Sequence, residues 1–141
     1  MEERFSKALH DSARTWRVAL DKRLKHLGIG QSGWMTIAMV AKSAEPLSQR
    51  ALADLVGVEG PSMVSMLDRL ERDGFLARAP SASDRRVKLV HLTEAGRTVY
   101  AEVQAEAVSF RTALLAGLDP QALAAAAELL ETVRTRIEES L

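Results

Sequence analysis

The stretch SQRALADLVGVEGPSMVSMLDRLERDG, residues 48–74, contains two short helical patterns with a glycine-containing turn between them. Ser48 can cap the first helix through its hydroxyl oxygen, and Gly57 suits the left-handed backbone conformation that ends many helices. Pro61 stands at the first position of the second helix, where a proline is favoured. A short helix, a turn and a second helix in this order predict a helix-turn-helix.

A basic hairpin is predicted directly after this motif. Residues 75–79 and 87–92 are predicted as two strands, and the linker PSASDRR between them is polar and favours a turn. Residues 77–92 carry four basic side chains and one acidic side chain, a local excess of positive charge that a nearby phosphate would experience. The hairpin makes the predicted helix-turn-helix a winged one.

Long helices flank this central region on both sides. From residue 4 to about residue 25, apolar residues recur every three or four positions and indicate one amphipathic helix. Thr93 can cap another long helix, and a last helix carries a heptad-like apolar line from Leu123 to Leu141. These apolar stripes exceed what the small central region can cover, so a second copy of the chain is the expected partner.

The predicted fold is mostly α-helical: a winged helix-turn-helix with N- and C-terminal dimerisation helices. We predict a single domain over residues 1–141, in which residues 31–97 form the winged helix-turn-helix lobe. Residues 1–30 and 98–141 are predicted to form the dimerisation helices. A chain of 141 residues has the ordinary size of one domain.

The composition removes several classes of function. The chain has no cysteine, which excludes disulfides, thiol redox switches and thiolate metal sites. Its N-terminus is charged throughout and no apolar run approaches the ~18 residues of a membrane helix, so we expect a cytoplasmic protein. The 19 basic and 19 acidic residues give no net charge, which counts against a nucleic-acid binder, although the charge is unevenly distributed.

The sequence carries no pattern typical of catalysis or metal binding. His10, His26 and His91 lie far apart and lack a spacing that suits a metal ion, and no cofactor is expected. Paired carboxylates fall on predicted helix surfaces, where solvation explains them. No nucleophile stands beside a plausible base and there is no glycine-rich phosphate loop, so we do not expect an enzyme.

The string DRR, followed by alternating apolar residues and then LTEAG, lies in a segment, residues 47–96, that resembles the MarR family of bacterial transcription regulators. Residues 27–40, LGIGQSGWMTIAMV, are similar to the SlyA-like branch of that family. The resemblance extends over nearly the whole chain. It implies a homodimer that binds near-palindromic double-stranded DNA, most often as a repressor, and a small phenolic or carboxylate effector in many members.

The resemblance gives the residues of the wing a role in DNA binding. Arg86 would enter the minor groove, where the weakly hydrated guanidinium is attracted to the negative potential of narrow A·T tracts. Asp84 would pair with an arginine and hold the wing tip in shape, while Arg85 would contact phosphate or brace the loop. Lys88 belongs to the same basic group. The alternative is a solvated turn without function, which DRR alone would not exclude.

The second helix of the motif is the implied recognition helix, with its N-terminal residues near the bases. Pro61 would fix its entry angle, and Ser62 and Ser65 would donate to phosphates or base edges. Arg69, one turn further, would reach a base or the backbone. Many SlyA-like proteins carry arginine where Ser65 stands, so we expect a different operator or weaker discrimination between operators.

Two residues before the recognition helix complete the predicted DNA contacts. Ser48 and Gln49, at the start of the preceding helix, are expected to contact phosphate through the helix N-terminus. For the serines at positions 62 and 65, the alternative interpretation is capping and solubility alone.

A ligand site is the least defined prediction. In the family, small aromatic acids occupy a crevice between the dimerisation region and the DNA-binding lobe. The candidates are Trp16 and Trp34 as an aromatic wall and Arg14 and Arg17, with His10, as cations for a carboxylate. The alternative is that both tryptophans are core residues of their helices.

Two functions therefore remain open at the level of the sequence. The first is a dimeric DNA-binding regulator. The second is a winged-helix dimer that mediates protein contacts without specific DNA reading, which the zero net charge and Ser65 favour mildly. Adjacent Arg85 and Arg86 argue for the first, because a wing with no phosphate to meet has little use for them.

Overall fold

The computed structural model describes residues 1–141 and is mostly helical, which confirms the predicted fold class. In chain order its elements are α1 (Glu2–Arg23), a 3₁₀ turn (Lys25–Leu27), α2 (Gly30–Lys42), β1 (Leu47–Ser48), α3 (Gln49–Val56), α4 (Gly60–Arg72), β2 (Leu76–Pro80), β3 (Lys88–Leu92), α5 (Glu94–Leu115) and α6 (Pro120–Ser140). The chain divides into two compact units, Met1–Val108 and Ser109–Leu141, with the boundary inside α5.

The helix-turn-helix forms from the local signals in the sequence. The hydroxyl oxygen of Ser48 accepts a hydrogen bond from the backbone N–H of Ala51 at 3.1 Å and caps α3. Gly57 ends that helix with a φ of 80°, a conformation that a side chain would strain. Pro61 lies in the first turn of α4, where its fixed φ suits the helix.

The core of the first unit is built from the apolar faces of α2, α3 and α4 and from one face of the sheet. Its largest fully buried apolar side chains are Leu24, Ile37, Leu52, Met63, Leu67, Leu70, Leu76 and Val90. Each such side chain contributes roughly 1.5–3 kcal/mol relative to an exposed one. This core fixes the position of α4 against α3 and the sheet.

The sheet has three antiparallel strands in the order β1-β3-β2. The hairpin of β2 and β3 was predicted, with Leu76 opposite Leu92 and Pro80 opposite Lys88. The two-residue strand β1 was not predicted, because it forms only when Leu47 pairs with Val90 from a distant part of the chain.

The start of α5 packs against the turn that leads into β2. The hydroxyl oxygen of Thr93 accepts from the backbone N–H of Gly96 at 3.1 Å and also donates to the carbonyl of Gly74. The backbone N–H of Thr93 donates to the carbonyl oxygen of Phe75 at 3.1 Å. A Cβ atom on Gly96 would lie 1.9 Å from that same oxygen, so only glycine fits here.

The second unit contains the end of α5 and all of α6. The carboxylate of Asp119 accepts from the backbone N–H of Gln121 at 3.1 Å and caps α6, which opens with Pro120. No residue of α6 is buried, and Leu129, Leu130 and Ile137 are exposed on it. None of the helices combines the length and apolar character needed to cross a bilayer.

Candidate nucleic-acid interface

The N-terminal half of α4 presents a small, uncharged surface. Pro61, Ser62 and Ser65 are exposed there, and their contact with DNA stays a prediction. The helical spacing of the apolar residues predicts Val64 and Met63 together on the apolar side of this helix, but Val64 is 39% exposed, whereas Met63 is fully buried. The surface that α4 offers therefore combines two hydroxyl groups with one branched apolar side chain.

Arg69 lies on the same helix but is already engaged. Its Nη2 atom donates to the carbonyl oxygen of Ile29 at 3.2 Å and so links α4 to the residue before α2. In this arrangement its guanidinium satisfies a backbone carbonyl of the protein. The predicted contact of Arg69 with a DNA base or with the DNA backbone would require this hydrogen bond to break or to be shared.

Arg78, on β2, joins three elements of the lobe. Its Nη1 atom donates to Oε1 of Gln49 on α3 at 3.0 Å, and its Nη2 atom donates to Asp68 at 2.6 Å and to Glu71 at 3.1 Å, both on α4. The backbone N–H of Arg78 also donates to Glu71, at 2.9 Å. The side chain of Arg78 is only 17% exposed, so this charge is half-buried among its partners and contributes little to the predicted basic surface.

The charges in this cluster stabilise one another. Side-chain and backbone hydrogen bonds from Arg78 hold the pKa of Glu71 below its usual range. Burial opposes the charged form of Arg78, but hydrogen bonds to Glu71 and Asp68 outweigh it and raise the pKa of its guanidinium. Arg78 thereby offsets one of the two negative charges of Asp68 and Glu71, which lowers the repulsion that they present to an approaching phosphate.

Replacing Arg78 by methionine is expected to lower the free energy of unfolding by about 1–2 kcal/mol, because its hydrogen bonds are lost and two carboxylates are left side by side. Urea unfolding of the variant and the wild type measures this difference. Arg72→Met, which removes an exposed arginine from the last turn of α4, is the matched control and should change little. An Arg78→Met protein with an unchanged midpoint would make the cluster energetically irrelevant.

The wing tip is closed by Asp84 and Arg86. The carboxylate of Asp84 accepts from the backbone N–H of Arg86 at 3.0 Å, from its Nε at 3.1 Å and, through the other oxygen, from its Nη2 at 3.1 Å. These side-chain and backbone hydrogen bonds hold the pKa of Asp84 below its usual range. Asp84 pairs with Arg86 and not with Arg85, and Arg86 remains 90% exposed. The side chain predicted to enter the minor groove is thus oriented and also accessible.

The remaining predicted DNA contacts lie around this tip and at the start of α3. Arg85 and Lys88 are exposed, while Ser48 and Gln49 are half-buried. Because Oε1 of Gln49 accepts from Arg78, its amide nitrogen is left as the donor. Arg50, which was not among the predicted contacts, is exposed in the first turn of α3. Its place directly after Gln49 was the signal that could have identified it.

The four predicted ligand residues differ in their exposure. Trp34 is buried, with 6% exposure, and its Nε1 atom donates to Asp21 at 2.9 Å, which favours the core interpretation for this residue. Trp16 is half-buried. Arg14 is exposed and lies 3.5 Å from Asp11, and Arg17 is exposed on α1. The effector expected from the resemblance stays a prediction.

A cavity of about 430 Å³ lies elsewhere in the first unit, between the end of α2, strand β3 and the start of α5. His91, Arg97 and Tyr100 are its polar side chains on β3 and α5, and none of the four predicted ligand residues lines it. No group of three or more His, Asp or Glu side chains converges closely enough to hold a metal ion.

Comparison with known proteins gives consistent matches. The family model described as MarR family matches residues 39–88. The transcriptional regulator PA3341, of known crystal structure, is 36% identical in sequence to this chain. The match covers 96% of this chain and 98% of that chain, with a TM-score of 0.88. A MarR transcriptional regulator from Methanosarcina mazei Go1 is 19% identical over 99% of both chains, with a TM-score of 0.85. The transcriptional regulator SlyA is 23% identical over 96% of this chain and 95% of that chain, with a TM-score of 0.81.

The fold and the exposed basic wing define a winged helix-turn-helix DNA-binding protein. The family model and the 36% identity to a transcriptional regulator over nearly the full length of both chains identify it further. The chain belongs to the MarR family of transcriptional regulators. The similarity to SlyA, at 23% identity, shows the shared fold, and the assignment to the SlyA-like branch stays a prediction.

Proposed function

We propose that this protein is a homodimeric repressor that recognises a near-palindromic operator in double-stranded DNA. The observation that carries the proposal is the wing tip, where Asp84 holds Arg86 in place while the guanidinium of Arg86 stays 90% exposed. An oriented, accessible arginine beside a recognition helix suits insertion into a narrow minor groove. The three hydrogen bonds between these two residues stabilise the turn and fix the direction of the guanidinium.

The exposed apolar residues of α6 support the dimer. Leu129, Leu130 and Ile137 are 51%, 42% and 53% exposed, and no residue of this 21-residue helix is buried. Exposed apolar surface on this scale is typical of a protein interface. A second copy of the chain is the proposed partner because a two-fold dimer presents two identical lobes to a palindromic site.

The charge distribution supports DNA binding although the net charge is zero. Exposed cations lie at the start of α3, where Arg50 stands, and on the wing, which carries Arg85, Arg86 and Lys88. Of the acidic residues near the recognition helix, Asp68 and Glu71 are paired with Arg78, whereas Asp54 and Glu59 are exposed in the groove between α3 and α4. The excess of positive charge is therefore concentrated at the wing, where Arg85, Arg86 and Lys88 stand against Asp84 alone, and a local field governs the approach to phosphate.

Selection of binding sites from a randomised duplex pool tests the proposal. At ~150 mM salt, where non-specific contacts are weak, the protein should enrich a near-palindrome with half-sites about one helical turn apart. If a folded dimer enriches no sequence, specific DNA reading is wrong and the protein-contact function takes its place.

The affinity for the selected operator is expected to fall steeply as salt rises. With roughly four cations from each protomer near phosphate, the logarithm of the association constant should change with the logarithm of salt concentration with a slope of about −7. Fluorescence anisotropy of a labelled operator between ~50 and ~300 mM salt gives the slope. A shallow slope would indicate a mostly apolar contact and would contradict this interface.

A further inference from the structure

We propose that Val64 is a specificity-determining residue, which packs against the C5-methyl group of a thymine in the major groove of each half-site. This inference rests on the proposed function and names the base chemistry that the recognition helix reads. The base in question lies opposite the N-terminal half of α4. Relatives with arginine at the position of Ser65 would present a cation to this part of the half-site, whereas this chain does not.

The exposure of Val64 is the first observation. The neighbouring apolar residues of α4, Met63 and Leu67, are fully buried, whereas Val64 is 39% exposed. A β-branched residue is slightly unfavourable in a helix and gains little from an exposed position. Its stiff side chain also loses little rotamer freedom when it meets a partner. Val64 is therefore suited to an apolar contact made from outside the chain.

The charges around Val64 are the second observation. A bidentate grip on guanine needs a free arginine or lysine. Arg69 is bonded to the carbonyl oxygen of Ile29, and Arg78 is bonded to two carboxylates and to Gln49. Arg72 lies in the last turn of α4, about 12 Å along the helix axis from Val64. The N-terminal half of α4 thus offers an apolar group and hydroxyl groups, and the thymine methyl is the apolar feature of the major groove.

The position of Val64 beside α3 is the third observation. Val64 lines a groove of about 610 Å³ between α3 and α4, together with Gln49, Arg50 and Ala53 and with the carboxylates of Asp54 and Glu59. Arg50 and the amide nitrogen of Gln49 can hold phosphate on the α3 side of this groove. Contacts with phosphate set the register of a helix on the duplex, and contacts with base edges then select the sequence. This arrangement assigns the positioning role to α3 and the reading of the methyl group to Val64.

Replacement of thymine by deoxyuridine in the selected operator tests this contact, because it removes only the C5-methyl group. One substitution at a time is made in one half-site, and the Kd of each duplex is measured with the wild type, Val64→Ala and Val87→Ala. Val87 is the matched control: it is 37% exposed, and it lies at the wing, on the minor-groove side, where the thymine methyl is not presented.

One thymine is expected at which the wild type loses roughly fourfold in affinity, which corresponds to about 0.8 kcal/mol for one methyl group. When deoxyuridine replaces that thymine, Val87→Ala should lose affinity by the same factor as the wild type. Val64→Ala should bind the two duplexes equally well. Thermal melting of the two variants should agree, since the two side chains are similarly exposed.

Two results would overturn the inference while the proposed function stands. Either no thymine in an enriched operator is sensitive to removal of its methyl group, or Val64→Ala remains as sensitive as the wild type. Failure to enrich any operator would instead overturn the proposed function, and this inference with it.

Discussion

Replacing Gly96 by alanine is expected to lower the free energy of unfolding by about 3 kcal/mol or more, at the upper end of what overpacking costs. The added Cβ would lie 1.9 Å from the carbonyl oxygen of Phe75, which is backbone and cannot rotate away. The start of α5 must then move outward, which also disturbs the hydrogen bonds of Thr93 to Phe75 and Gly74. Thermal melting should show a fall of about 10 °C.

Gly60→Ala is the matched control for this substitution. A Cβ on Gly60 meets no atom within 4 Å, and Gly60 lies in the first turn of α4. Alanine there should leave the melting temperature unchanged or raise it slightly, because it restricts the unfolded chain. If Gly96→Ala and Gly60→Ala have the same melting temperature, the close approach of Gly96 to the carbonyl oxygen of Phe75 does not contribute to stability.

Replacing Arg86 by alanine is expected to reduce operator affinity about 100-fold while leaving dimerisation and thermal stability nearly unchanged. Each half-site loses one charged contact of about 1.5 kcal/mol, roughly tenfold, and the dimer has two half-sites. The folded protein loses little because the side chain is 90% exposed and bonds only within the wing tip. Operator titrations and melting curves measure the two properties separately.

Arg97→Ala and Arg85→Ala separate the role of Arg86 from a general loss of charge. Arg97 is an exposed arginine on α5 and should leave operator affinity almost unaltered. Arg85→Ala should weaken all duplexes alike, as loss of a phosphate contact does, whereas Arg86→Ala should also relax the preference for A·T pairs at the wing. Early melting of Arg86→Ala would make Arg86 a structural residue and refute its assignment to the minor groove.

The parts of the fold that the sequence predicts are those with local causes. Ser48, Gly57 and Pro61 each act through the backbone within a few residues, so the boundaries of α3 and α4 follow from the residue types. The wing hairpin is also local, since β2 and β3 are neighbours in the chain. These signals need no knowledge of tertiary packing.

The parts that the sequence does not predict depend on distant partners. The bond from Arg69 to Ile29 spans 40 residues, and Arg78 reaches across 29 residues to Gln49. Residue type alone places both arginines on the basic surface, whereas in the fold both satisfy groups of the protein. Val64 was placed on the apolar side because helical periodicity shows the width of an apolar stripe and not where its edge meets solvent.

The hydrogen bonds of Arg78 also couple the elements that are proposed to contact DNA. Through this one guanidinium, the strand that leads into the wing is fastened to the recognition helix and to the start of α3. If α4 contacts the major groove and the wing contacts the minor groove as proposed, the protein sets the distance between the two contacts and the duplex has to conform to it. One extra base pair between the two contacts moves the minor-groove site by about 3.4 Å along the duplex. A wing that is bonded to α4 cannot move by that distance. Spacing within each half-site should therefore be conserved among operators even where their bases differ.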